Sequence, residues 1–185
     1  MRPIAYTQAA YTTAALSFLA GTGLFTYYYA TSAMPMLFYG LAFLVVAVIL
    51  NALLFIAILA KSRRAPACRK ALRTAAFTML LNLAPAVGYS VVSLKLLNTM
   101  RITFVNETNA PIEDVSVSGC ESKSIGNLEV GEEVEVWIGI HGDCSIWVQY
   151  EGLGTVKRES VVGYATGGMG QRHRHAIDGR DKDLL

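Results

Sequence analysis

The chain has 185 residues, of which 53% are hydrophobic and only 16% charged, for a net charge of +2. The charge is unevenly placed: residues 3–60 contain no Asp, Glu, Lys, Arg or His, and all 14 acidic residues lie beyond residue 100. That distribution excludes a single soluble domain, because a chain this short has no interior for long helices that are apolar on every side.

The first charge-free run is too long for one crossing of a bilayer and suits two, since about 20 apolar residues span the hydrocarbon. It breaks where Tyr27, Tyr28 and Tyr29 meet a short stretch ending in Pro35. Tyrosine collects at the lipid–water boundary, and proline fits a turn or the first turn of a new helix. The expected helices are 9–30 and 36–60. The apolar stretch behind Arg2 is longer than the h-region of a cleaved signal peptide, so the first helix is expected to be retained.

Six basic residues and no acid follow, at Lys61, Arg63, Arg64, Arg69, Lys70 and Arg73. Read as a loop over 61–73, they determine topology. Short Lys/Arg-rich loops stay in the cytoplasm, which puts the N-terminus inside and the chain after the third helix outside. A nucleic-acid role for a dozen residues beside a membrane is set aside. The third helix is expected over 74–97, kinked by Pro85.

Within the spans the polar side chains are Asn51, Asn82 and a few Ser and Thr. Transporters and channels usually keep ionisable groups inside the bundle. The two amides are expected to bond neighbouring helices instead, and Ser17/Gly21 and Ala84/Gly88 permit close helix contact. The bundle therefore reads as an anchor or a packing surface.

Beyond residue 100 the period changes to alternation. Strands are expected at 101–106, 112–118, 124–128, 134–140, 144–150, 155–164 and 171–177, separated by Gly-, Asn- and Pro-rich turns. Short, evenly spaced strands in a small domain predict an antiparallel sandwich, immunoglobulin-like or else a small barrel, over 99–178. Residues 179–185 form a charged tail. The turn Gly126-Asn127-Leu128-Glu129-Val130-Gly131-Glu132 resembles one found in many bacterial extracytoplasmic sandwich modules. The resemblance covers that turn alone and implies no activity.

The fold class expected is thus membrane α + β: three transmembrane helices, then an all-β periplasmic sandwich. In an oxidising compartment Cys120 and Cys144 can pair, closing a loop worth roughly 3 kcal/mol; the alternative is two separately buried thiols. Cys68, in the basic segment, should stay reduced. From Glu107 to Tyr164 acids far outnumber bases. This is either a solvated surface or an acidic face for a basic partner, centred on Glu129, Glu132, Glu133 and Glu135. His173 and His175 would share a strand face, but without a third ligand they predict no metal site. Asn106-Glu107-Thr108 fits a glycosylation acceptor, relevant only to a eukaryotic secretory route.

The one dense chemical cluster is His141-Gly142-Asp143-Cys144, and three groups in one hairpin rarely converge on a substrate. No catalytic residue, cofactor or metal is expected. The expected partners are the lipid bilayer and a protein, with a second copy of the chain as a further option. The reading is a non-enzymatic protein of a bacterial inner membrane whose acidic periplasmic domain binds a protein. Its most concrete form is an immunity protein that neutralises a pore-forming toxin. The alternative is an accessory subunit of an envelope or secretion complex.

Overall fold

A computed structural model of the protein describes residues 3–178. Arg2 and the charged tail expected at 179–185 lie outside the described residues. The chain forms two compact units that divide between Ser93 and Leu94.

The first unit is helical: α1 (Pro3–Thr31), α2 (Met34–Arg64), a 3-10 turn at Pro66–Cys68, α3 (Arg69–Leu81) and most of α4 (Leu83–Leu97). Ser32 takes a positive φ of 51° between the first two helices, and Pro35 sits in the first turn of α2. Met34–Arg64 and Pro66–Leu97 are long and apolar enough to cross a membrane.

The basic loop expected at 61–73 is largely helix. Lys61, Arg63 and Arg64 form the last turn of α2, where cations suit the helix dipole. Arg69, Lys70 and Arg73 open α3, leaving only 65–68 as the connection. A run of basic residues does not by itself end a helix. The single helix expected at 74–97 is two helices interrupted at Asn82. Pro85 explains the break, because it has no N–H for the Leu81 carbonyl and its ring crowds that turn.

Ala10, Ala14, Ile58, Leu72, Ala75, Ala76 and Met79 form one buried cluster that joins α1, α2 and α3. Elsewhere large apolar side chains point outward, among them Leu41, Val45, Ile49, Leu53 and Ile56 of α2 and Val87 and Val91 of α4.

The second unit contains seven strands: β1 (Thr99–Asn106), β2 (Ile112–Gly119), β3 (Lys123–Leu128), β4 (Glu133–Gly139), β5 (Cys144–Gly152), β6 (Thr155–Ala165) and β7 (Arg172–Ile177). They make two sheets, ordered β4-β1-β7 and β3-β2-β5-β6. Inward residues from both sheets fill one core, including Ile102, Phe104, Ile138 and Ile177 from the first and Val115, Val117, Ile146, Val148 and Tyr150 from the second. The expected all-antiparallel arrangement fails at one place, since β1 and β7 run parallel, with Phe104 opposite His175.

The last turn of α4 belongs to this unit rather than to the helices, so the division falls earlier than the expected 98/99. Backbone bonds explain it. Leu97 O accepts from Gly170 N at 2.8 Å, and Asn98 O accepts from Ile140 N at 2.9 Å. Carbonyls that a helix C-terminus leaves orphaned are thus satisfied by the β unit.

Candidate functional site

Cys120 and Cys144 form a disulfide with Cα atoms 5.1 Å apart, across a sequence separation of 24. It ties the start of β5 to the end of β2. Gly119 makes that approach possible: it has a φ of 118°, and a Cβ there would lie 1.7 Å from Ser145 O. Cys68 is a free, half-buried thiol. Because Cys144 is oxidised to a disulfide, the His141–Asp143–Cys144 cluster has no thiolate to offer. Asp143 instead accepts hydrogen bonds from the Thr166 and Tyr164 side chains, which hold its carboxyl below the usual range.

The four carboxylates of the expected acidic face divide into two groups. Glu133 and Glu135 alternate along β4 on the outer side of the first sheet, where β7 presents Arg172 and Arg174. Arg174 bonds Glu107 and Glu133, each at 3.1 Å, and Arg172 pairs with Glu135. Arg172 and the Trp137 indole hold the Glu135 carboxyl below its ordinary value. Arg101 lies across the Trp137 ring, 5.4 Å from its centroid. This outer surface is therefore a mixed-charge lattice. Glu129 and Glu132 sit apart on the β3–β4 turn, where Glu132 Oε2 accepts from Glu129 N at 2.9 Å.

His173 and His175 alternate onto one face of β7, an edge strand, where His175 is buried and His173 is exposed near the strand's start. Partial burial and the neighbouring His175 lower the pKa of His173. His175 Nε2 lies 3.1 Å from Glu159 Oε2, and Tyr150 donates its hydroxyl to Glu159 Oε1 at 2.6 Å. Glu159 is completely buried. This Tyr–Glu–His chain crosses from one sheet to the other, and the sequence reading missed it. Its signal was the polar pair Lys157 and Glu159 at alternate positions of β6, where an inward row should be apolar. Among the described residues no group of three or more His, Cys, Asp or Glu could hold a metal ion.

Asn106 is buried and donates to Ala110 O and Leu128 O, both at 3.0 Å, so its amide closes a turn and is not presented for modification. Asn51 donates to Ser17 Oγ at 3.1 Å, and Asn82 to Ala14 O at 2.7 Å, so both amides of the helical unit reach α1. Gly21 packs near Phe43, whereas Gly88 has open space around its Cα.

Among the described residues, the β5–β6 hairpin carries the most exposed large apolar side chain of the β unit. Leu153 is 91% exposed and Val156, across the turn, 66%. Leu153 has a φ of 53° and Gly154 of 72°, the left-handed pair that a two-residue hairpin prefers to fill with Asn-Gly. A bulky residue at that φ is strained and, fully exposed, gains no burial in return.

No protein-family model matches the chain, and no curated protein matches it. A solved NMR structure of a protein from Eubacterium rectale is similar over 46% of this chain and 84% of that one, at 13% identity and a TM-score of 0.33, a likeness too low to carry an argument.

Proposed function

We propose that this is a non-enzymatic, multi-pass inner-membrane protein whose periplasmic β domain binds a protein partner. In this reading α1, α2 and the α3–α4 pair make three crossings. The N-terminus and the Lys61–Arg73 basic cluster are cytoplasmic, and the sandwich, immunoglobulin-like in class, faces the periplasm. The outward apolar rows of α2 and α4 support a lipid setting, because water would not tolerate that much contiguous apolar surface. The oxidised Cys120–Cys144 pair supports an oxidising compartment for the β domain.

The observation that carries partner binding is Leu153. A strained, solvent-exposed leucine at a hairpin tip is a poor choice for stability and a good one for an anchor that enters a partner's pocket. The most concrete version is an immunity protein that neutralises a pore-forming toxin at the inner membrane. Cells with and without the gene, challenged with such toxins, test it. Protection that depends on the gene and is lost in Leu153→Asp is expected; equal sensitivity in both strains removes the immunity version.

Gly88 favours a second reading, an accessory subunit of an envelope or secretion complex. Its open Cα on α4, one turn beyond Ala84, would admit a helix of another subunit. Crosslinking in native membranes followed by mass spectrometry separates the two. Several envelope proteins recovered with α4 support the subunit, and one stoichiometric partner held by the hairpin supports immunity.

A further inference from the structure

We propose that the β domain holds the phosphate of a phospholipid headgroup in the cavity beside the C-terminal end of α4. The inference rests on the membrane reading above and goes beyond it by assigning a ligand. The cavity measures about 410 Å³ and is lined by Lys95, Asn98, Glu121, Lys123, Trp137 and His141 among others. Lys123 and Glu121 neutralise each other as an ion pair, which leaves the exposed Lys95 ammonium as the net charge of the lining, with the His141 imidazole nearby, so the lining favours an anion.

The arrangement is held in place. Glu121 Oε2 accepts from Gly139 N at 2.6 Å, and its Oε1 lies 3.4 Å from Lys123 Nζ. Lys123 also donates to Trp137 O. These bonds fix Lys123 at the wall, while Lys95 is exposed on the last turn of α4. The imidazole of His141 lies about the width of a methyl group from Gly139, since a Cβ on that glycine would approach Nε2 to 3.0 Å.

Position selects the ligand. The charge-free run of the third crossing ends at Leu94, and Leu94 and Lys95 both line the cavity. A helix leaving hydrocarbon at Leu94 brings its next turn to headgroup depth, where Trp and Lys are the usual anchors. An anion at that depth is a lipid phosphate. The exposed apolar side chain of Leu94 would lie along the glycerol and upper acyl carbons.

The test uses the full-length protein in detergent, with phosphatidylglycerol titrated and retention read by native mass spectrometry. Lys95→Gln and His141→Gln are the variants, since both side chains are exposed and neither holds the fold. Lys95→Gln is expected to weaken retention about five-fold, and soluble glycerol phosphate is expected to compete poorly. Equal retention by wild type and both variants overturns the site. Full competition by glycerol phosphate overturns the lipid source in favour of a soluble anion. Alkaline carbonate extraction is run in parallel: a chain that leaves the membrane overturns the membrane reading and the lipid site together, whereas a chain that stays while the variants bind normally overturns the site alone.

Discussion

Glu159 of β6 and His175 of β7 meet inside the sandwich, Oε2 to Nε2 at 3.1 Å, and join two sheets that share no backbone hydrogen bonds. A buried carboxylate is tolerated only where its oxygens are bonded. Here Tyr150 serves one oxygen and His175 the other. Removing a partner should therefore cost more than removing the exposed pairs on the outer face. Tyr150→Phe is expected to destabilise the β domain by roughly 2 kcal/mol, and Glu159→Ala by about 3 kcal/mol. Glu135→Gln, on the exposed Arg172 pair, should cost less than about 1 kcal/mol. The two tryptophans, Trp137 and Trp147, both lie in this domain, so urea unfolding followed by fluorescence reads it selectively. Equal midpoints for Tyr150→Phe and Glu135→Gln would contradict the ranking.

The disulfide should contribute about 3 kcal/mol, because it closes a loop with a sequence separation of 24. Reductant is expected to lower the fluorescence-detected unfolding free energy by that amount and leave helix content unchanged. A Cys120→Ser/Cys144→Ser protein should reproduce the loss and be insensitive to reductant. Loss of helical signal on reduction would contradict independent units.

Stability should fall on acidification in two steps of known sign. His173 has a pKa held below its ordinary 6.5, so the unfolded chain takes up its proton first. Its contribution is present above that value and is lost as pH falls through it to the folded value. Glu121 and Glu135 are held below 4.5, and their contributions are lost at lower pH still. His173→Gln should remove the step near neutrality and leave the acid one. An unchanged pH profile in that variant would refute the assignment.

Leu153→Asn should raise the stability of the β domain by about 1 kcal/mol, because asparagine tolerates the positive φ that leucine does not. If the hairpin tip anchors a partner, the same change should weaken that complex. A stabilised protein with undiminished partner binding would move the binding site away from this hairpin.

What could be read from the sequence follows the range of each signal. The absence of charge over 3–60 marks the helical half, and the alternation Val134, Val136, Ile138 and Ile146, Val148, Tyr150 marks two central strands, because both are local patterns. The ends of α2 and α3 were misplaced because Lys61–Arg64 and Arg69–Arg73 are basic and helical at once. The parallel β1–β7 pair was invisible, since it brings together residues about 70 positions apart, such as Arg101 and Arg172. For the same reason a charge count over 107–164 suggested an acidic face. The neutralising Arg172 and Arg174 lie outside that window and reach Glu135 and Glu133 only through the fold.

The central claim is that the β domain and the basic cluster lie on opposite sides of a membrane. Its most direct test is labelling with a membrane-impermeant maleimide, combined with protease, in intact spheroplasts and after lysis. The account predicts that protease removes the sandwich from intact spheroplasts, whereas Cys68 reacts only after lysis. A sandwich protected until lysis, with Cys68 labelled from outside, would contradict it.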